Sequence, residues 1–357
     1  MCPFLSELFP RRTRTISSND RRSMYRRIEP ERLKKWLGGL RDRVEVLAPG
    51  KENGLWTFRR FDGLALPRGF QNSRLPPKAL FLEPLKALFE WKSQGDSFKL
   101  NPFPPADGQR VIFGIRACDA RALRILQPVF VRDYEDAFYL RNLSRTLLLG
   151  EACQVQCQGS FCEEMGIDPQ DSGDCDLFFR EISQGYMVKV LSERGAALMG
   201  EGDLFEKASE EEWSSARRKI RGSRKKPFFD LERVRARASE RFSEESLWQR
   251  ISATCINCGI CTYLCPTCHC FDLCDLQTPG GAVRFRRWDS CAFPDFTKMA
   301  GHNPREEKWR RYRQRVSHKF NFFYQNFQAM ACVGCGRCVA YCPVNLDLRE
   351  VLLEVAG

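Results

Sequence analysis

Two stretches of the chain repeat one cysteine pattern. Cys255, Cys258, Cys261 and Cys265, closed by Pro266, read C-x-x-C-x-x-C-x-x-x-C-P, and Cys332, Cys335, Cys338 and Cys342, closed by Pro343, read the same again. Three thiols at every third residue share one tight loop and can face a common centre. The fourth stands one residue further on, where the chain turns, and points away from its own three. Each run therefore relies on the other to complete a four-sulfur set. Gly259, Gly334 and Gly336 lie inside the loops, where backbone must come close to whatever the sulfurs hold and donate N–H groups to them.

This is the spacing of bacterial ferredoxins, and it predicts two [4Fe-4S] clusters. One falls to Cys255, Cys258, Cys261 and Cys342, the other to Cys332, Cys335, Cys338 and Cys265. Zinc favours two separated C-x-x-C pairs around one point and has no use for a third evenly spaced cysteine followed by Cys-Pro. Clusters fully ligated by cysteine have no open coordination position, so their task is to move single electrons. The chain has 18 cysteines in 357 residues, about 5 %, short of the roughly 8–10 % of a secreted disulfide scaffold. MCPFLSELFP is interrupted by Ser6, Glu7 and Pro10 and shows no export signal. A cytoplasmic location, with thiols kept reduced, is the expectation. No stretch approaches the roughly 18 apolar residues of a membrane span.

The length suggests two domains, or three. Residues 1–28 carry seven arginines and read as a basic mobile tail. Residues 29–202 read as an α/β domain: Val111–Ile115 and Thr146–Gly150 are apolar strands buried on both faces, Asp176–Ile182 and Tyr186–Leu191 are further strands, and Leu123, Ile125 and Leu126 mark a helix. Residues 203–250 read as a helical connector. Its stretch Arg217–Arg237 has ten basic and two acidic residues, read as a solvated face. Residues 251–357 form the ferredoxin-type, mainly helical dicluster domain, with an insertion between its cysteine runs. That insertion contains a candidate hairpin and a long basic helix over about 304–330. The fold class is α+β.

A third iron–sulfur site is a candidate in the first domain, on Cys118, Cys153, Cys157 and Cys162. Cys118 stands where a strand gives way to a helix, beside Arg116 and Asp119, and a helix N-terminus favours a thiolate. Cys153 follows the second apolar strand, and Cys157 and Cys162 lie in the loop beyond. If those strands are parallel neighbours, the four gather at the carboxyl edge of the sheet, where α/β proteins bind cofactors. Packing of free cysteines is the alternative. Cys268, Cys270, Cys274 and Cys291 receive no ligand role, and His302 and His318 read as surface or structural residues. There is no G-x-G-x-x-G after a strand and no phosphate-binding lysine loop.

Several blocks, in order, carry a resemblance: PPKALFLEP, VIFGIRACDARAL, CINCGICTYLCPTCHCFD, RRWDSCAF with GHNPR, RQRVSHKF and CVGCGRCVAYCPVNLD. The chain resembles the 4Fe-4S dicluster family that contains the beta subunit of nickel–iron sulfhydrogenases and the A subunit of anaerobic sulfite reductase. The resemblance implies an iron–sulfur relay between a flavin-containing, NAD(P)H-linked subunit and a terminal catalytic subunit of hydrogenase or sulfite reductase type. Related subunits accompany heterodisulfide-reductase-like complexes. It implies the same eight cluster cysteines and gives weight to Arg116, Cys118 and Asp119. Where the family pattern has Cys-Phe-Cys, this chain has Ser160, Phe161 and Cys162, with Cys157 as a substitute.

The formal charge is +12, and nucleic-acid binding is the competing reading. It draws on Arg217–Arg237 and on residues 281–320, with 11 basic and four acidic side chains. A thiol enzyme built on Cys118 is a third reading. An oxidised cluster with four thiolates carries about −2, so two bring +12 to about +8 and three to about +6. Part of the arginine excess thus offsets buried cluster charge and offers a docking face to acidic partner subunits.

Overall fold

The computed structural model describes residues 24–357 except 96, 201, 202, 219 and 223–225. Residues 1–23 of the expected tail, and Lys219, Arg224 and Lys225 of the basic connector, lie outside the described residues. Twelve strands are described: β1 (Tyr25–Ile28), β2 (Glu45–Glu52), β3 (Leu55–Arg60), β4 (Leu85–Gln94), β5 (Ser97–Pro102), β6 (Arg110–Ile115), β7 (Thr146–Glu151), β8 (Leu177–Ile182), β9 (Gly185–Val190), β10 (Glu206–Lys207), β11 (Phe271–Thr278) and β12 (Gly281–Trp288).

Eight of them form one sheet in the order β10-β1-β9-β8-β7-β6-β2-β3. The centre is parallel, β2 with β6, β6 with β7 and β7 with β8, and antiparallel strands flank it on both sides. Every residue of β6 and β7 is buried, as all-apolar strands require. Side chains of alternating parity enter two cores. Val111, Phe113, Leu147 and Leu149 meet Leu33, Trp36, Leu37 and Leu40 of the helix Pro30–Leu40, which recur at helical spacing. Ile112, Leu148 and Phe178 meet the helices Ala117–Leu126 and Ala137–Ser144 on the other face. Residues 25–28, assigned by sequence to the tail, are instead the strand β1 between β9 and β10.

The connector is divided. Glu206–Lys207 adds the edge strand β10, and the helix Glu210–Ser215 packs Trp213 into the core of Ile112, Leu148 and Phe178. The helices Leu231–Glu240 and Glu245–Ile251 join Lys308–Ser317 and Leu348–Ala356 in a third core. The basic helix is shorter than its charge pattern suggests: Lys308–Ser317 runs into a π-helical turn at His318–Phe322 and ends at Phe327.

The insertion between the cysteine runs has an unexpected partner. Its hairpin β11–β12 pairs with β4 and β5 from the first half of the chain, giving an antiparallel sheet in the order β11-β12-β4-β5. So the C-terminal half contributes sheet as well as helix. Trp288 Nε1 donates to Leu82 O at 3.0 Å, and Arg286 pairs with Asp136. Deeper in, Arg337 grips Asp119 with two bonds of 2.7 and 2.8 Å, both side chains almost fully buried. Removing one partner of such a pair strands the other charge, at a cost of about 3–5 kcal/mol. Asp119→Asn is expected to lower stability by about that amount in chemical denaturation; a variant as stable as the parent would show that the pair does not hold this junction.

Candidate metal centres

The two cysteine runs fold alike. Asn257 and Gly334, each two residues after the first cysteine, are left-handed at φ 53° and 59°, and Gly259 and Gly336 follow at 76° and 81°. These turns aim backbone at sulfur: Asn257 N–H reaches Cys255 Sγ at 3.4 Å, and Gly334 N–H reaches Cys332 Sγ at 3.5 Å. A one-turn helix then carries the third cysteine of each run, Ile260–Tyr263 or Arg337–Ala340.

The first run does not close on itself. Cys255, Cys258 and Cys261 line one cavity with Cys342 of the second run, and Cys338, Arg311, Arg315 and Pro343 complete the wall. Cys265 is absent from that wall, and its charge bears on Cys332, Cys335 and Cys338 as well as on Cys261. The placement of Cys342 beside the first run is thus present in the geometry. Cys338, assigned by spacing to the second set, also borders the first cavity.

Buried cations surround these thiols. Lys319 Nζ donates to Cys265 Sγ at 3.2 Å, to Thr267 Oγ1 at 3.3 Å and to Ala331 O at 3.0 Å. The Cys265 thiol is held well below the ordinary range, first by its hydrogen bond with Cys268 and, against its burial, by Lys319 and Lys78. Cys332 and Cys335 are pushed up to about 12 by burial, against the opposing pull of Lys319 and Arg337 respectively. Arg315 is 4 % exposed, and its Nε and Nη2 have no hydrogen-bond partner among the described residues. The groups that favour its charge most are Cys261 and Cys338. A buried guanidinium facing cysteine sulfur with two idle nitrogens fits an anionic centre between those sulfurs, and a cysteine-ligated iron–sulfur cluster is such a centre.

Cys118, Cys153, Cys157 and Cys162 also come together. All four line one cavity with Arg116, Ser160 and Cys335. β6 and β7 are parallel neighbours, as that gathering requires. Arg116 bridges Glu151 at 3.2 Å and donates to the carbonyls of Glu151 and Ala152 at 3.0 Å. Ser160 spends its hydroxyl on Cys157 O at 2.8 Å. Burial, and then Asp119, push the Cys118 thiol well above the ordinary range. A nucleophilic thiol needs the opposite shift, whereas a thiol bound to metal is deprotonated by the metal itself.

The loop carrying Ser160 presses on the second run. Phe161 N–H donates to Gly334 O at 2.7 Å, and a Cβ on Gly334 would fall 2.3 Å from Phe161 O, one on Gly336 2.5 Å from Gln158 O. Both glycines serve this close approach as well as their left-handed turns. The sequence reading missed Arg311, Arg315 and Lys319 as wall residues. Their spacing of four on a helix was the available signal. His318 and His269, with rings 5.5 Å apart, are half-buried, and desolvation lowers them to about 3 and about 4.

No solved structure matches the chain. A curated relative, the sulfhydrogenase 2 subunit beta of Pyrococcus furiosus, is 29 % identical over 348 residues, covering 93 % of this chain and 98 % of the relative. Residues 254–346 match the family model of a 4Fe-4S dicluster domain. The cavity of Cys255, Cys258, Cys261 and Cys342 therefore lies in a segment that matches a 4Fe-4S dicluster domain, within a chain similar along nearly its whole length to a sulfhydrogenase beta subunit.

Proposed function

We propose that this chain is the iron–sulfur relay subunit of a cytoplasmic multisubunit oxidoreductase. It passes electrons between a flavin-containing, NAD(P)H-linked subunit and a terminal catalytic subunit of hydrogenase or sulfite reductase type. The observation that carries the reading is that Cys342 of the second run lines the cavity of Cys255, Cys258 and Cys261, beside the idle guanidinium of Arg315. Cys255, Cys258, Cys261 and Cys342 would hold one cluster, Cys332, Cys335, Cys338 and Cys265 the second, and Cys118, Cys153, Cys157 and Cys162 a third. When bound, such clusters are one-electron carriers with no free coordination position. The residues of this chain fix their surroundings: backbone N–H groups and Lys319 donate to sulfur, and Arg315, Arg337 and Arg116 supply buried positive charge. The three sets follow one another, because Cys338 borders the first cavity and Cys335 borders the third.

The nucleic-acid reading loses part of its support, that from residues 281–320. Arg286, Arg311, Arg315 and Lys319 of the basic region 281–320 are buried, and Arg284 and Arg287 are paired with Asp275 and Asp272. Among the described residues no helix is long and apolar enough to cross a membrane.

Anaerobic purification is expected to give about twelve irons and twelve sulfides per chain for three cubes, or about eight of each for two. Stoichiometric zinc with negligible sulfide would overturn the reading. Purification of the native complex tests the partners: co-purification of a flavin subunit with a nickel–iron or sirohaem subunit is expected, and a homogeneous lone chain would contradict the relay. Reduction adds negative charge to a cluster, so an ammonium on a ligand sulfur favours the reduced form. Lys319→Met is expected to lower one midpoint potential by about 60 mV, equivalent to about 1.4 kcal/mol for one electron. An unchanged set of midpoints in an EPR-monitored titration would remove Cys265 from the ligands.

A further inference from the structure

The parallel strands β7 and β8 end at a cavity of about 250 Å³, separate from the one that Cys118, Cys157 and Cys162 line. Glu151, Ala152 and Cys153 at the end of β7 and Glu181 on β8 border it, and so do Arg68 and Arg221. Glu151 pairs in register with Phe179. Glu181, two residues further along β8, therefore stands on the same face of the sheet as Glu151. The carboxyl edge of parallel strands is where α/β folds receive their ligands.

Arg116 builds the wall. It is 5 % exposed, bridges Glu151 at 3.2 Å and donates to the carbonyls of Glu151 and Ala152 at 3.0 Å. On its other side it donates to Gln71 O at 3.1 Å and to Phe70 O, and its guanidinium lies 4.7 Å from the centre of the Phe70 ring. The loop that carries Arg68 is thereby pinned to the end of β7. Arg221 is fixed through its backbone: its N–H donates to Gln154 O at 3.0 Å, its carbonyl accepts from Gln156 N–H at 2.9 Å, and the two segments form a short parallel bridge at Val155. Both arginines are exposed, and among the described residues neither guanidinium has a hydrogen bond or an ion pair. Arg217 and Arg284, also at the surface, are each paired with an aspartate at 2.7 Å. Here the carboxylates are engaged elsewhere, Glu151 by Arg116 and Glu181 by Gln154, and the two forks stay open.

We propose that this cavity binds a small polyol phosphate, its phosphate held by Arg68 and Arg221 and its hydroxyls by Glu151 and Glu181. A guanidinium fork matches phosphate oxygens two at a time. Carboxylates accept hydrogen bonds and offer none, so they favour a ligand with hydroxyl donors over a bare anion. A cavity of roughly 150 Å³ admits benzene, with six heavy atoms; about 250 Å³ in proportion suits about ten, the size of a three-carbon polyol phosphate. Arg116 and Cys153 belong to this cavity and to that of the third cysteine set, so the bound phosphate sits at that end of the array. The site itself does not depend on the relay reading.

Isothermal titration of the full-length chain, purified anaerobically, with glycerol 3-phosphate tests the site. The expected result is saturable binding at one site per chain, about tenfold tighter than inorganic phosphate, with no binding of glycerol alone. Arg68→Ala and, independently, Arg221→Ala are each expected to weaken glycerol 3-phosphate about tenfold, while Glu181→Ala narrows its margin over inorganic phosphate. All three side chains are exposed, so the circular dichroism spectrum and the iron content are expected to stay as in the parent. No saturation by about 10 mM glycerol 3-phosphate would overturn the proposal. Inorganic phosphate bound as tightly as the ester would overturn the part given to the carboxylates. L-glutamate bound in place of the ester would overturn it in favour of an amino-acid ligand, and unweakened binding in both arginine variants would overturn the location. Absence of iron and sulfide from the parent chain is a separate result, which counts against the relay reading alone.

Discussion

Arg315, Lys319 and Arg337 are buried among cysteines, and a cation taken from water costs several kcal/mol unless an opposite charge meets it. The cysteines have the converse difficulty. Burial pushes Cys332, Cys335 and Cys153 to about 12, so as bare thiols these three would be neutral and give the cations no countercharge. Only Arg337, through Asp119, has a carboxylate of its own. A metal that takes the sulfurs as thiolates and leaves net negative charge resolves both problems together. On the proposed relay reading, folding of this region and loading of its centres would be coupled, since the wall residues would then meet charge that the polypeptide alone does not carry.

The same constraint explains why the two halves of the chain are joined so closely. The loop of Ser160 and Phe161 rests on Gly334 and Gly336 with no room for a Cβ, and Cys335 faces both the second set and the cavity of Cys118. A flexible link would let those distances vary. The shared β11-β12-β4-β5 sheet and the Arg337–Asp119 pair instead fix them.

Much of the site was legible from spacing, because the ferredoxin pattern states which sulfurs share a loop and which one leaves it. The gathering of Cys118, Cys153, Cys157 and Cys162 was legible too, since two apolar strands placed their carboxyl ends together. What was not legible depended on long-range register. Nothing local in Leu85–Pro102 announces that it pairs with residues 271–288, because antiparallel partners recognise one another through backbone and not through a sequence code. Arg311, Arg315 and Lys319 repeat every four residues, yet charge at helical spacing on an exposed helix looks the same as charge facing buried thiols. Their partners lie elsewhere in the chain, and only the fold brings those partners into view.

The array has distinct ends. Its middle is enclosed: Cys265 is buried, and the groups around it are Lys319, Thr267 and Lys78. At one end the loop of the first run is open, with Cys258 exposed and Ile256, between the first two cysteines, 61 % exposed. An apolar residue held out to water on a rigid, tightly hydrogen-bonded loop brings no folding energy to an isolated chain. It does suit a partner surface that covers the loop, excludes water and lowers the local dielectric around the nearest sulfurs. At the other end, the cavity of Arg116, Glu151, Cys153 and Arg221 is polar and borders the third set. The proposed relay would need such an asymmetry, because electrons that enter and leave by the same surface would be exchanged with one partner and never delivered to a second.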